Sequence, residues 1–125
     1  MIRTIISILV TAALLFGLSF YEGVYVQNTF EDFHLILEQL KRKAETGEAT
    51  YNDGLAVREY WESEKKELHV WVAHNSLQEI DYQLDEAIGF LFVAQYNDAL
   101  PKIEVLLGLS ENIPRNYALA LGNVF

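Results

Sequence analysis

Residues 4–21 (TIISILVTAALLFGLSFY) carry no charged side chain, and no other feature restricts this chain as strongly. Wound as a helix, such a run rises about 27 Å at ~1.5 Å per residue, close to the ~30 Å hydrocarbon core of a bilayer. A helix satisfies its own backbone hydrogen bonds, so it is the form that tolerates that solvent. Phe20, Tyr21 and Tyr25 follow at the far end, where amphipathic rings favour the membrane–water interface, and Glu22 marks the exit into water. Arg3 precedes the run and acids dominate after it, so the positive-inside rule predicts a cytoplasmic N-terminus and an extracytoplasmic C-terminal domain. The competing reading is a cleaved signal peptide, with Gly17 and Ser19 as the small residues before the cut. The run exceeds the usual apolar region of roughly 7–15 residues, and its hydrophobic pattern continues into the next helix. Both points favour a retained signal-anchor. Small residues four apart, Ser7/Thr11 and Ala13/Gly17, offer a face for close approach of another transmembrane helix.

The chain of 125 residues therefore divides into a membrane anchor, 1–21, and an acidic helical domain, 22–125. Of nine basic residues only Arg3 lies in the anchor, against eighteen acidic ones beyond it, so the domain carries −10. Such a surface repels phosphate backbones and excludes nucleic acid as a natural partner. It also disfavours lying flat on anionic lipid. The absence of cysteine excludes disulfides, thiolate metal sites and a cysteine nucleophile.

Periodicity predicts an all-α domain, with the anchor continuing into a small bundle of about four helices arranged as two α-hairpins. Val26, Phe30, Phe33, Leu37, Leu40 and Ala44 are spaced 4, 3, 4, 3, 4, a heptad seam on one helix face. Gly47 suits the position just past the helix end, and Lys41, Arg42 and Lys43 complement the dipole there. A second helix is expected from Asn52 or Asp53, through Val57, Trp61, Glu64, Leu68 and Trp71; Glu64 interrupts its seam, turned to solvent or paired with Lys41. A third runs through Leu77, Ile80, Leu84, Ile88 and Leu91, with His74 on the same face. A fourth, capped by Asn97 or Asp98, carries Pro101 in its first turn and ends before Pro114. The apolar tail Tyr117–Phe125 (Leu119, Leu121, Val124, Phe125) is expected to fold back onto the bundle. Tyr51-Asn52-Asp53-Gly54-Leu55 recurs as Tyr96-Asn97-Asp98-Ala99-Leu100, which points to one turn solution used twice.

In the second half, Trp71-x-x-His74 leads into Leu77-x-x-Ile80-Asp81-x-x-Leu84, then a helical hairpin and a close Asn112-Ile113-Pro114 … Leu119-x-Leu121-x-Asn123-Val124-Phe125. With the N-terminal segment, this arrangement resembles domain-of-unknown-function family 4363, short bacterial membrane-anchored helical proteins. The resemblance implies a single-pass helical protein without an assigned catalytic activity, acting as an accessory subunit of a multi-spanning partner. Trp71, His74, Asp81 and Asn123 match the family-like pattern and bring no established role with them.

His34, His69 and His74 are the candidate metal ligands, yet His69 and His74 do not share a face of a continuous helix, and no HExxH-type spacing occurs. Neither a catalytic residue, a cofactor nor a metal site is predicted. His74 with Asp81, beside Trp71, forms a polar group whose plainer explanation is hydrogen bonding within the bundle. The carboxylate pairs Glu31/Asp32, Glu62/Glu64 and Asp85/Glu86 read as solvated faces, and Ser63, Ser76 and Ser110 lack a nucleophile-elbow setting. Tyr60, Trp61 and Trp71 are read as core rather than as an aromatic binding wall. The expectation is a non-enzymatic accessory protein, embedded in the lipid bilayer, whose seam Val26, Phe30, Phe33, Leu37 and Leu40 meets a membrane-protein partner or a second copy. The alternative is an extracytoplasmic ligand- or peptide-binding sensory module, and a His74-based hydrolase comes last.

Overall fold

The apolar run and the heptad seam are one helix. In the computed structural model, which describes residues 1–70 and 72–124 with all side chains among them except those of Ser19 and 119–124, α1 spans Ile2–Glu45 without a break. It is long and apolar enough over its first half to cross a membrane, and none of that apolar window is buried by the rest of the chain. Beyond it, α2 (Tyr51–Leu68), α3 (His74–Phe92) and α4 (Tyr96–Val124) complete an all-helical fold. The most extensive contact joins α1 to α4, followed by α3 to α4, α2 to α3 and α1 to α2. The first and last helices thus close a ring, a contact that a description as two hairpins leaves out.

The seam forms the inner wall of that ring. Val26, Phe30, Phe33 and Leu37 are fully buried, and Leu40 nearly so. Opposite them, Trp61 packs 5.1 Å from Phe33 and 6.3 Å from Phe30, centroid to centroid, and Tyr60 stacks on Phe33 at 6.2 Å. Each such ring or Leu contributes about 1.5–3 kcal/mol when withdrawn from water. Leu77, Ile80, Leu84, Ile88 and Leu91 of α3, with Ile103, Leu106 and Leu107 of α4, fill the rest.

Both turns at the end away from the anchor use one device. After α1, the Glu48 N–H reaches the Lys43 carbonyl (2.8 Å) and the Gly47 N–H the Ala44 carbonyl (3.1 Å), with Gly47 at φ +71°. After α3, Gln95 reaches Phe90 (2.9 Å) and Ala94 reaches Leu91 (3.1 Å), with Ala94 at φ +56°. These are Schellman turns, each leading directly into one of the repeated Tyr-Asn-Asp segments. The cap of α2 is Thr50 rather than Asn52 or Asp53. Its hydroxyl accepts from the Asp53 N–H (3.1 Å) while the Asp53 carboxylate accepts from the Thr50 N–H (2.9 Å), a capping box.

Two further expectations are corrected. α4 does not end before Pro114 but runs through it to Val124, and Pro101 stands beyond its first turn. Packing against α1 carries the helix past a residue that, locally, would stop it. The tail therefore continues α4; Tyr117 is partly buried against the core, and the remaining tail side chains, with Phe125, lie outside the described residues. Glu64 pairs with neither solvent nor Lys41: it accepts from the Tyr25 hydroxyl at 2.8 Å, and Lys41 meets Glu104 at 2.7 Å.

Candidate functional site

Pro114 lines a concavity between α1 and α4. Lacking an N–H, it leaves the carbonyl of Ser110, four residues back, without its helical donor. A groove of about 750 Å³ opens there between α1 and α4, lined among others by Gln27, Glu31, His34, Ser110, Glu111 and Arg115. The Ser110 hydroxyl donates to the Leu107 carbonyl (2.7 Å), and the His34 ring presents Nδ1 to Ser110 Oγ at 2.8 Å. With the hydroxyl hydrogen committed, Nδ1 carries the proton of that contact. Nε2 then faces Glu38 at 3.5 Å, one turn away on α1, and Glu111 at 3.8 Å, across on α4. When Nε2 is also protonated the ring bridges both carboxylates.

This arrangement can bind but is badly placed for covalent chemistry. Ser110 is only 3% exposed and bonded into its own helix, so it is not poised to attack. What the groove offers is an apolar floor from Phe30 and Leu35 with convergent polar groups at its rim.

The polar group proposed from sequence is placed differently. Asp81 accepts from the buried indole of Trp61 (Nε1 to Oδ1, 2.7 Å) and faces Lys65 Nζ at 3.3 Å; its recorded partners do not include His74. His74 is exposed at the first position of α3, and its ring stacks on His69 at 5.2 Å between centroids. The two histidines meet because α2 ends at Leu68 and the chain reverses between them. Helical angles along a continuous helix did not foresee that. Trp71 lies outside the described residues. The seam offered for a partner, Val26, Phe30, Phe33, Leu37 and Leu40, is occupied by the chain's own helices and is not free to dock.

Burial also marks the tyrosines beside α1. Tyr60, whose hydroxyl donates to the Thr29 carbonyl (3.3 Å), is pushed up to about 12 by desolvation, with Glu64 and Asp32 adding to it. Tyr25 is raised further, by burial first and then by its hydrogen bond to the Glu64 carboxylate.

Sequence reasoning weighed His34 and Ser110 separately and missed the groove that joins them. Its one local signal was Pro114 inside an otherwise unbroken apolar pattern, and that residue was read as a terminator. No family model, curated protein or solved structure matches the chain.

Proposed function

We propose that this protein is a single-pass membrane accessory subunit, non-enzymatic, with its N-terminus in the cytoplasm and its helical bundle on the opposite side. The observation that carries the proposal is the unbroken course of α1 from Ile2 to Glu45. Its first half exposes Ile5, Leu9, Leu14, Leu15 and Phe16 on every side, and its second half buries Phe30, Phe33 and Leu37. These exposed apolar side chains are costly in water at ~25 cal/mol per Å² and favourable in lipid. The helix that holds the bundle together is thus also the helix presented to the bilayer, so a partner gripping the anchor grips the domain.

With the seam filled internally, the partner contact moves to the anchor. There Gly17 has open space around its Cα, and on a separate face Thr11 turns its hydroxyl back to the Ser7 carbonyl (2.8 Å). The test is extraction of native membranes. The protein is expected to resist an alkaline carbonate wash and to co-purify with a fixed membrane protein, or with a second copy, in mild detergent. Gly17→Leu is expected to abolish co-purification without releasing the protein from membranes. Release by carbonate, or a monomer free of partners after cross-linking in the native membrane, would refute the proposal.

A second reading draws on the groove at Pro114: an extracytoplasmic module that accepts a peptide or small molecule between α1 and α4. A ligand there is expected to raise the melting temperature of the detergent-solubilised full chain, and Leu35→Asp to remove that rise.

A further inference from the structure

Among the described residues, every other charged contact between two helices takes its cation from a lysine or an arginine, as Lys41 with Glu104 joins α1 to α4 and Lys102 with Glu86 joins α3 to α4. The groove at Pro114 departs from that rule. Glu38 of α1 and Glu111 of α4 face His34 Nε2 at 3.5 and 3.8 Å, and among the described residues neither has a lysine or arginine partner. The neutral imidazole does not supply the cation. Its Nδ1 proton is committed to Ser110 Oγ at 2.8 Å, whose own hydrogen goes to the Leu107 carbonyl, so Nε2 turns a lone pair toward two carboxylates. On the same wall, the Ser110 carbonyl lacks its helical donor because residue 114 is a proline. Glu31 adds a further carboxylate to the lining, against the single cation Arg115. The groove is thus rich in acceptors and poor in donors.

We propose that this groove receives a lysine side chain from a segment of a partner protein, with the ammonium seated among His34 Nε2, Glu38 and Glu111. The proposal rests on the reading of the groove as a peptide site and names what that site selects. An ammonium carries three N–H donors and no acceptor, so it can serve each of these three groups with one bond. The planar fork of a guanidinium is matched instead to both oxygens of one carboxylate. The Glu38 and Glu111 side chains are 34% and 60% exposed, so both can turn to meet the incoming charge. The four-carbon stem of lysine needs apolar surface beneath it, which Phe30 and the exposed Leu35 provide. At about 750 Å³ the groove exceeds one side chain and falls in the range that holds a ligand of several residues. That size, with its apolar floor, favours a lysine flanked by apolar residues over a free amine.

The test is calorimetric titration of the full chain in a non-ionic detergent, with detergent alone as the blank. The probe is the peptide acetyl-Ala-Leu-Lys-Leu-Ala-amide. Beside it run the same peptide with the lysine Nε-acetylated, the same peptide with arginine for lysine, and n-butylamine. The lysine peptide is expected to bind most tightly and the arginine peptide less so. The acetylated peptide and n-butylamine are expected to be weaker than the lysine peptide by about tenfold or more, since hydrogen bonds to a charged group are worth that much. Glu38→Gln and Glu111→Gln, at partly exposed side chains, are each expected to weaken the lysine peptide about tenfold. Glu59→Gln, exposed on α2, is expected to leave it unchanged. Equal binding of the lysine and acetyl-lysine peptides, lost on Leu35→Asp, would overturn the proposal and leave the groove a peptide site. Equal weakening by Glu59→Gln would overturn it by reducing the effect to overall charge. Tighter binding of the arginine peptide would overturn the choice of an ammonium, and equal binding of n-butylamine the choice of a peptide. Binding of no peptide would remove the proposal and the peptide-site reading together.

Discussion

Asp81→Ala is expected to destabilise the bundle substantially, whereas His74→Ala is not. The Asp81 carboxylate receives the Nε1–H of Trp61, a side chain 1% exposed, at 2.7 Å. Removing the acceptor strands a buried indole donor, which costs about 1–3 kcal/mol. The Lys65 contact at 3.3 Å is partly exposed, and Lys65 keeps Glu62 at 3.2 Å, so its loss adds less than about 1 kcal/mol. A total of about 2–3 kcal/mol lowers the melting temperature of a domain of this size by on the order of 10 °C or more. Asp81→Asn retains one acceptor oxygen at the same place and is expected to recover most of the loss. His74 is exposed and, among the described residues, its ring stacks on His69, so its removal stays within about 0.5 kcal/mol. The assay is thermal unfolding of the full chain in micelles, followed by near-ultraviolet circular dichroism. Equal melting of Asp81→Ala and wild type, or a larger drop for His74→Ala, would refute the assignment of Asp81 to a structural role.

Four more outcomes follow from the turns, the α2 cap and the buried hydroxyls. Ala94→Gly relieves a left-handed backbone at φ +56° that costs a non-glycine residue about 1–2 kcal/mol, less the ~0.5–1 kcal/mol of added unfolded-state freedom. A small rise in melting temperature is expected, and a fall would show that Ala94 is held by contacts rather than strained. Thr50→Ala removes the α2 cap and is expected to cost about 1 kcal/mol by chemical denaturation. The Thr50 N–H, and after it Lys43, hold the Asp53 carboxyl below its ordinary value. That group's stabilisation is therefore complete above the ordinary aspartate range near ~3.9 and is lost as pH falls through the lowered value; Asp53→Asn should flatten this acid limb. Tyr25 and Tyr60 ionise less readily than in the unfolded chain, so stability is expected to hold below about 10 and to decline as pH rises beyond it. Absorbance at the tyrosinate band should show both phenols still protonated at a pH where unfolded tyrosines have ionised.

The parts legible in the sequence are those governed by one helix at a time. The heptad from Val26 to Ala44 is buried throughout because a single face of a straight helix meets a single core. The end of α1 was legible because Gly47 is the residue type its φ of +71° demands. The parts that were not legible depend on how helices are set against one another. Glu64 meets Tyr25 rather than Lys41 because the register of α2 on α1 is fixed by Trp61 and Phe33, whose contact no spacing rule contains. Pro114 ends a helix when nothing holds the next turn, but here the following turns lie along α1. The cap of α2 was misplaced because Asp53 is a strong capping type that serves as the reciprocal partner of Thr50.

The anchor proposed for α1 would set the groove at a fixed height above the membrane. The groove residues of α1 run from Gln27 to Leu35, between about 8 and 20 Å beyond Glu22 at ~1.5 Å per residue. Those of α4 run from Ser110 to Ala118, with Ala118 beside Gln27. With the anchor in the bilayer as proposed, the concavity would open above the headgroups, between α1 and α4. A freely diffusing ligand gains nothing from that position. A loop of a membrane protein whose own helices lie against Gly17 and its neighbours would reach the groove without leaving the membrane surface. Its charged lining is Glu31 and Glu111 against Arg115, with Glu38 nearby on His34, a mainly acidic rim that would favour a basic loop. Under the proposed function, the accessory subunit and the peptide-binding module would describe one partner, held by its transmembrane helix and by its loop, and linkage of the two contacts through the continuous α1 would make each raise the effective concentration of the other.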